Sequence, residues 1–286
     1  MNTDSVLSYD GTTGAFIGAL VKSGPGGTNA PNGLFVGSDG YLYVSAFNDH
    51  CVNRYDMQTG DFVSQFVPPA GGGLEIPWHM DAGPDGDLLV VSSETAVKRY
   101  DRITGVYKGN FISAASGGAD VAFSLLHNTD GDLLVNVMTG AINLYNGQTG
   151  AFMREFIPLD PANNSPVDFA FGPDGNLYTC DFWTANIRKF DGLTGAFLGT
   201  FVVGGTGGLN TPHSMAFGPD GNLYVACFVS SAVLRFDGQT GAYMGDFVPG
   251  GSGGLSLATE LLFVPEPAAG CAFCFVALIA LRRATR

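Results

Sequence analysis

His79, Asp168, His213 and Glu260 are the side chains of this sequence whose types could do chemistry together. Imidazoles and carboxylates ligate divalent cations, and they also exchange protons near neutral pH. Far apart in sequence, they fall at two adjacent positions of a recurring segment, whose copies read Asn32–Gly33, Trp78–His79, Phe123–Ser124, Val167–Asp168, His213–Ser214 and Thr259–Glu260. A scaffold built from repeats needs only sameness, so positions that differ from copy to copy are where a site is expected. One expectation is therefore a divalent metal held by His79, Asp168, His213 and Glu260. The other is that these groups hydrate a water-filled channel and cap strand ends. Trp78 would form a hydrophobic wall beside them, and replacing the histidines should then cost binding with little loss of stability. Trp183, next to Asp181 and Phe182, and the run Phe47, Asn48, Asp49 and His50 suit a carbohydrate or peptide surface. Phe182 and Phe228 recur at one repeat position, however, and packing between blades is the expectation for the phenylalanines, which leaves Trp183 open.

Other chemistries find no footing. The sequence has no Walker loop, no G-x-S-x-G elbow and no H-E-x-x-H, and its Gly-Gly pairs lie between strand-like runs rather than at a strand-to-helix junction. The Asp-Gly turns lack the alternating acids and closing glutamate of a calcium loop, and an aspartate bonding to its own turn accounts for them. Cys51, Cys180, Cys227, Cys271 and Cys274 are an odd number without even spacing, which supports neither a disulfide framework nor a zinc knuckle. Thirteen basic against 26 acidic residues give a formal charge of −13, which a phosphate backbone or an anionic bilayer surface would repel. Nucleic acid is not an expected partner.

The elements that must position these residues are legible from repetition. YDGTTGAF at Tyr9 recurs as YDMQTGDF, YDRITGVY, YNGQTGAF, FDGLTGAF and FDGQTGAY at steps of 46, 45, 45, 45 and 46 residues. A second phrase, such as GPDGNLYV around Asp220, keeps the same beat. Each repeat reads as four short β-runs separated by Asp-Gly turns, and apolar residues three and four apart over a helical length are missing. Six such units make an all-β, six-bladed β-propeller. Pro31, Pro77, Pro166 and Pro212 lead the innermost strands, and with G-x-D-G-x-L-Y-V after them the blades resemble the NHL-repeat family over residues 1–264. That resemblance implies the fold and leaves lyases, lactonases and binding platforms open as functions. Blade grammar is also similar to virginiamycin B lyase-like propellers, in which His213 and Glu260 would imitate a His–Glu pair on adjacent blades. Leu262 stands where that family keeps its histidine base, which puts lyase chemistry in doubt.

Met1 aligns with the connection between second and third strands, so the first repeat holds only its last two strands. Thr259–Val264 matches a first strand, and one blade is expected to close from both termini, incomplete because its second strand is absent. The chain is expected to begin upstream, with an export signal. Residues 264–286 resemble a PEP-CTERM sorting signal: Val264, Pro265, Glu266 and Pro267, an apolar segment to Leu281, and the basic end at Arg282 and Arg283. The resemblance implies transient membrane insertion and processing by an exosortase-type enzyme. The division expected is a propeller over 1–263 and a sorting tail over 264–286. The function expected is an envelope or extracellular binding propeller, for polysaccharide or a surface protein. A metal-dependent lyase or lactonase is the alternative.

Overall fold

The computed structural model describes residues 4–22, 28–93, 96–114, 116–118, 122–137, 140–159, 166–265 and 275–281. Apart from three-residue 3-10 turns, the regular structure is all β. β1 (Ser5–Asp10) and β2 (Phe16–Val21) come first. The first contiguous blade is β3 (Pro31–Val36), β4 (Tyr41–Ala46), β5 (Cys51–Asp56) and β6 (Phe62–Val67), and the second is β7 (Pro77–Ala82), β8 (Leu88–Ser92), β9 (Ala96–Tyr100) and β10 (Tyr107–Ile112). The third holds β11 (Ala122–His127), β12 (Leu133–Val137), β13 (Ile142–Tyr145) and β14 (Phe152–Ile157). In the fourth are β15 (Pro166–Phe171), β16 (Leu177–Asp181), β17 (Ile187–Phe190) and β18 (Phe197–Val202). β19 (Pro212–Phe217), β20 (Leu223–Cys227), β21 (Ala232–Phe236) and β22 (Tyr243–Val248) complete the fifth, and β23 (Ala258–Pro265) and β24 (Phe275–Leu281) follow.

The protein is an all-β propeller, with five rather than six blades made of four consecutive strands. A further four-stranded sheet, in the order β2-β1-β24-β23, draws on both ends of the sequence. Its composition corrects one expectation. The second-strand place is filled, because β24 runs antiparallel to both β1 and β23, pairing Leu7 and Leu261 with Ile279. Two facing strand edges carry unpaired amides and carbonyls, and an extended apolar segment satisfies both rows at once. β23 itself runs across the expected boundary to Pro265. Glu266, Pro267, Arg282 and Arg283 lie outside the described residues. No helix among those described is long and apolar enough to cross a membrane.

Two local devices repeat from blade to blade. At the turn between third and fourth strands, Asp56 Oδ1 accepts the amides of Gln58 and Thr59, each at 2.8 Å, and Asn146 Oδ1 takes those of Gln148 and Thr149 at 3.2 and 3.0 Å. The glycine that follows is required twice. Gly60 has φ +73°, and a Cβ there would lie 1.7 Å from the Leu20 carbonyl oxygen on β2. The other device is the ring opening each Y/F-D phrase. Tyr9, Tyr55, Tyr100, Tyr145, Phe190 and Phe236 are all buried, and Tyr9, Tyr100 and Tyr145 donate their hydroxyls to carbonyls of Ser252, Gly71 and Ser116 in the glycine-rich loops. The core therefore lies largely between blades.

Candidate functional site

Each inner strand contributes to one narrow throat on the propeller axis, lined by Asn32, Trp78, His79, Phe123, Ser124, Val167, Asp168, His213, Thr259 and Glu260. Its volume is about 20 Å³, room for a single water. On the other side of the polar set, toward the turns that end the inner strands, a vestibule of about 500 Å³ opens. His79, Asp168 and Glu260 line both spaces, whereas His213 lines only the throat.

The polar atoms here are engaged from blade to blade. Ser45 donates to the Trp78 carbonyl at 2.9 Å, and His79 Nδ1 lies 3.0 Å from the Leu125 carbonyl. A carbonyl only accepts, so that contact places the proton on Nδ1 and turns Nε2 toward Glu260 Oε1, 3.9 Å away. Ser124 donates to Asp168 Oδ1 at 2.9 Å, and the Met215 amide to Asp168 Oδ2 at 2.9 Å. Ser214 donates to Glu260 Oε1 at 3.1 Å, His213 Nδ1 meets the Thr259 carbonyl at 2.8 Å, and Thr259 Oγ1 donates to the Pro31 carbonyl at 3.0 Å. The last bond returns to the blade from which Ser45 started. Each is worth about 1 kcal/mol net, so alanine at His79 or His213 would cost stability as well as any binding, unlike the sequence expectation.

Charge is concentrated at the His79–Glu260 gap, where the side chains keep 21% and 13% of their exposure. Burial pushes the Glu260 carboxyl up to about 8, with the His79 imidazolium pulling it partly back. Burial also opposes a charged His79, but Glu260, Asp168 and Asp81 outweigh it, and His79 titrates above its usual value. At 3.9 Å the two side chains do not form a tight ion pair, whose distance would be shorter.

Of the four residues expected to hold a metal, His79, Asp168 and Glu260 are brought to the axis together. His213 also lines the throat, but its ring lies in an aromatic row. Its ring stacks 5.3 Å from Phe228 and 6.2 Å from Trp78, and Trp78 in turn meets Phe47 and Phe123 at 5.5 and 4.9 Å. Phe182 packs against both His213 and Phe228 at 6.3 Å, joining adjacent blades, and carries Trp183 at 5.0 Å. Trp183 is 76% exposed at the end of the row. Among the described residues no three His, Cys, Asp or Glu gather so as to hold a metal ion. Both oxygens of Asp168 are already committed to protein donors.

Sequence reasoning missed two groups. His127 faces Asp81 in the vestibule, Nδ1 to Oδ2 at 3.0 Å, at a repeat position where Phe171, Phe217 and Phe263 stand in other blades. That departure was a readable signal. Asn136, which bridges the Ser124 amide at 2.6 Å and the Pro166 carbonyl at 2.7 Å, carried none, since only tertiary structure brings those blades together.

No protein-family model and no curated protein matches the sequence. Solved structures do resemble it. A catalytically inactive virginiamycin B lyase from Staphylococcus aureus with quinupristin aligns at 14% identity over 81% of this chain and 73% of that one, with a TM-score of 0.61. A gluconolactonase from Xanthomonas campestris aligns at 15% identity over 89% and 86%, with a TM-score of 0.66. A chain of a nidogen/laminin complex aligns at 13% over 89% and 99%, also at 0.66. At such identities the likeness concerns the fold.

Proposed function

We propose that this chain is a non-catalytic binding propeller, closed as a six-membered ring by the sheet that joins both ends, and that it holds polysaccharide on the face bearing the aromatic row. The observation that carries the reading is the row itself, from Phe47 through Trp78, His213, Phe228 and Phe182 to the exposed Trp183. Flat rings suit the apolar faces of sugars, and sugars also need hydrogen-bonding groups nearby. Exposed Asn48, next to Phe47, and exposed Thr184, next to Trp183, supply such groups. Ring closure draws support from β23, which packs against β3 on one side and β19 on the other.

Envelope or extracellular placement belongs to the same proposal. Its support is the V-P-E-P motif and arginine end in sequence. An exosortase-type enzyme acting on the tail would remove segment 275–281, so the sheet that joins both ends belongs to the unprocessed chain. Cell fractionation with mass analysis of the mature C-terminus tests that part, and an intact tail on cytosolic protein would refute it.

Affinity electrophoresis in gels cast with soluble polysaccharides tests the binding. Trp183→Ala is expected to weaken retardation at least tenfold while leaving the melting temperature unchanged. Unchanged retardation, or none with any polysaccharide, would overturn the reading. A metal-dependent lyase or lactonase is the second reading, for which the vestibule of about 500 Å³ beside His79, Asp168 and Glu260 offers room for a substrate. Stoichiometric zinc, calcium or manganese in purified protein would establish it over the first.

A further inference from the structure

Two seams between blades share a lock of three rings that a third holds only in part. Where the fourth blade meets the fifth, three rings lock together: Tyr178 lies 4.9 Å from Phe201 of its own blade and 4.9 Å from Phe217 of the next. The seam between β20 and β23 repeats this, with Tyr224 at 4.7 Å from Phe247 and 4.9 Å from Phe263. Between the first two contiguous blades the corresponding pair is intact, Tyr43 and Phe66 being 4.9 Å apart. The third ring is missing, because the residue at the position of Phe217 and Phe263 is Ala82. A cavity of about 310 Å³ takes its place, on the face of the strand-end turns, with Tyr43, Phe66 and Ala82 in its wall.

Arg54 and Arg102 outnumber Asp39 in its lining, in a protein whose formal charge is −13. Arg54 lies 4.8 Å over the Tyr41 ring and 5.4 Å over Phe66, and it reaches Asp39 only at 3.8 Å. The equivalent pair in the fourth blade, Lys189 and Asp174, closes to 2.7 Å. Asp39 instead accepts the Tyr43 hydroxyl at 2.7 Å, and Arg54 Nε is buried without a hydrogen-bond partner. Arg102, at the same cavity, makes no ion pair among the described residues.

We infer that this seam is a binding site for a small aromatic carboxylate. The ring would take the place that Phe217 and Phe263 fill in other seams, edge-on to Tyr43. The carboxylate would lie between the Arg54 and Arg102 guanidiniums. The cavity is large enough for a whole small ligand and too small for a polymer segment. This site is separate from the aromatic row on the opposite face, and its test does not depend on polysaccharide binding.

The probe is 3-phenylpropionate, titrated by calorimetry against the whole chain, with 3-phenyl-1-propanol as the uncharged ring and acetate as the charge without a ring. Saturable binding of phenylpropionate is expected, at least tenfold tighter than of either control. Ala82→Phe should refill the seam, abolishing binding while holding or raising the melting temperature. Ala82→Leu fills the same space without a ring and serves if the phenylalanine variant does not fold. Arg54→Gln should remove the preference for the acid over the alcohol. Equal binding of acid and alcohol to the wild type, undiminished binding to the filled variant, or no saturation by about 10 mM would overturn the inference.

Discussion

Glu260 shows how one residue's surroundings set its chemistry. A carboxyl on the axis, with Ser214 as donor and His79 as its nearest base, holds its proton up to about pH 8 instead of releasing it near 4.5. Between those values the folded protein binds a proton that the unfolded chain has lost. The stability from this group is therefore fully present below about pH 4.5 and disappears as pH rises through 8. His79, also raised, acts in the same direction, its share being present below 6.5 and lost above its folded value. Glu260→Gln keeps the shape and removes the titration. Melting temperatures should show the variant gaining on the wild type between pH 5 and 9 by at least about 2 °C. A constant difference across that range would mean that Glu260 ionises normally.

At the scale of the element, the same phrase has two uses in every blade. Its aspartate or asparagine closes a turn, and its glycine lets that turn approach the neighbouring blade. The two uses separate by substitution. Gly60→Ala brings a Cβ to 1.7 Å from the Leu20 carbonyl, so strain and a displaced neighbour add together, and a loss of about 3 kcal/mol or more is expected. Gly40→Ala has a similar φ of +80° with nothing within 4 Å, and should cost only the strain of about 1–2 kcal/mol. Urea denaturation of both variants measures the difference. Equal losses would show that the turn glycine is needed for its backbone angle alone.

The whole molecule depends on how the sheet drawn from both ends is held. β24 gives β1 and β23 a partner each, which leaves only β2 and β23 at the sheet's margins. Hydrogen exchange should find the amides of Val6–Tyr9 as protected as those of β20 in the fifth blade. In a chain ending at Pro265, those amides should exchange many times faster, and the exposed edges should promote self-association. Unaltered protection in the shortened chain would show that β24 does not pair there.

Composition, period and turn chemistry were enough to read the fold class, the four strands of each repeat and the ring of variable positions around Asp168 and Glu260, because all of these follow from short-range rules with a fixed period. Ala82 and His127 were equally visible as departures from that period. What they meant was not visible, since an absent ring is a cavity only when Tyr43 and Phe66 of another blade surround it. The same holds for His213, which belongs to an aromatic row, and for Asp168, whose oxygens are both taken by neighbouring blades. Segment 275–281 read as part of the apolar run of a sorting tail, and its pairing with β1 and β23 had no local signal. Pairing between blades depends on three-dimensional closure, and closure brings together residues whose separation in sequence carries no local signal.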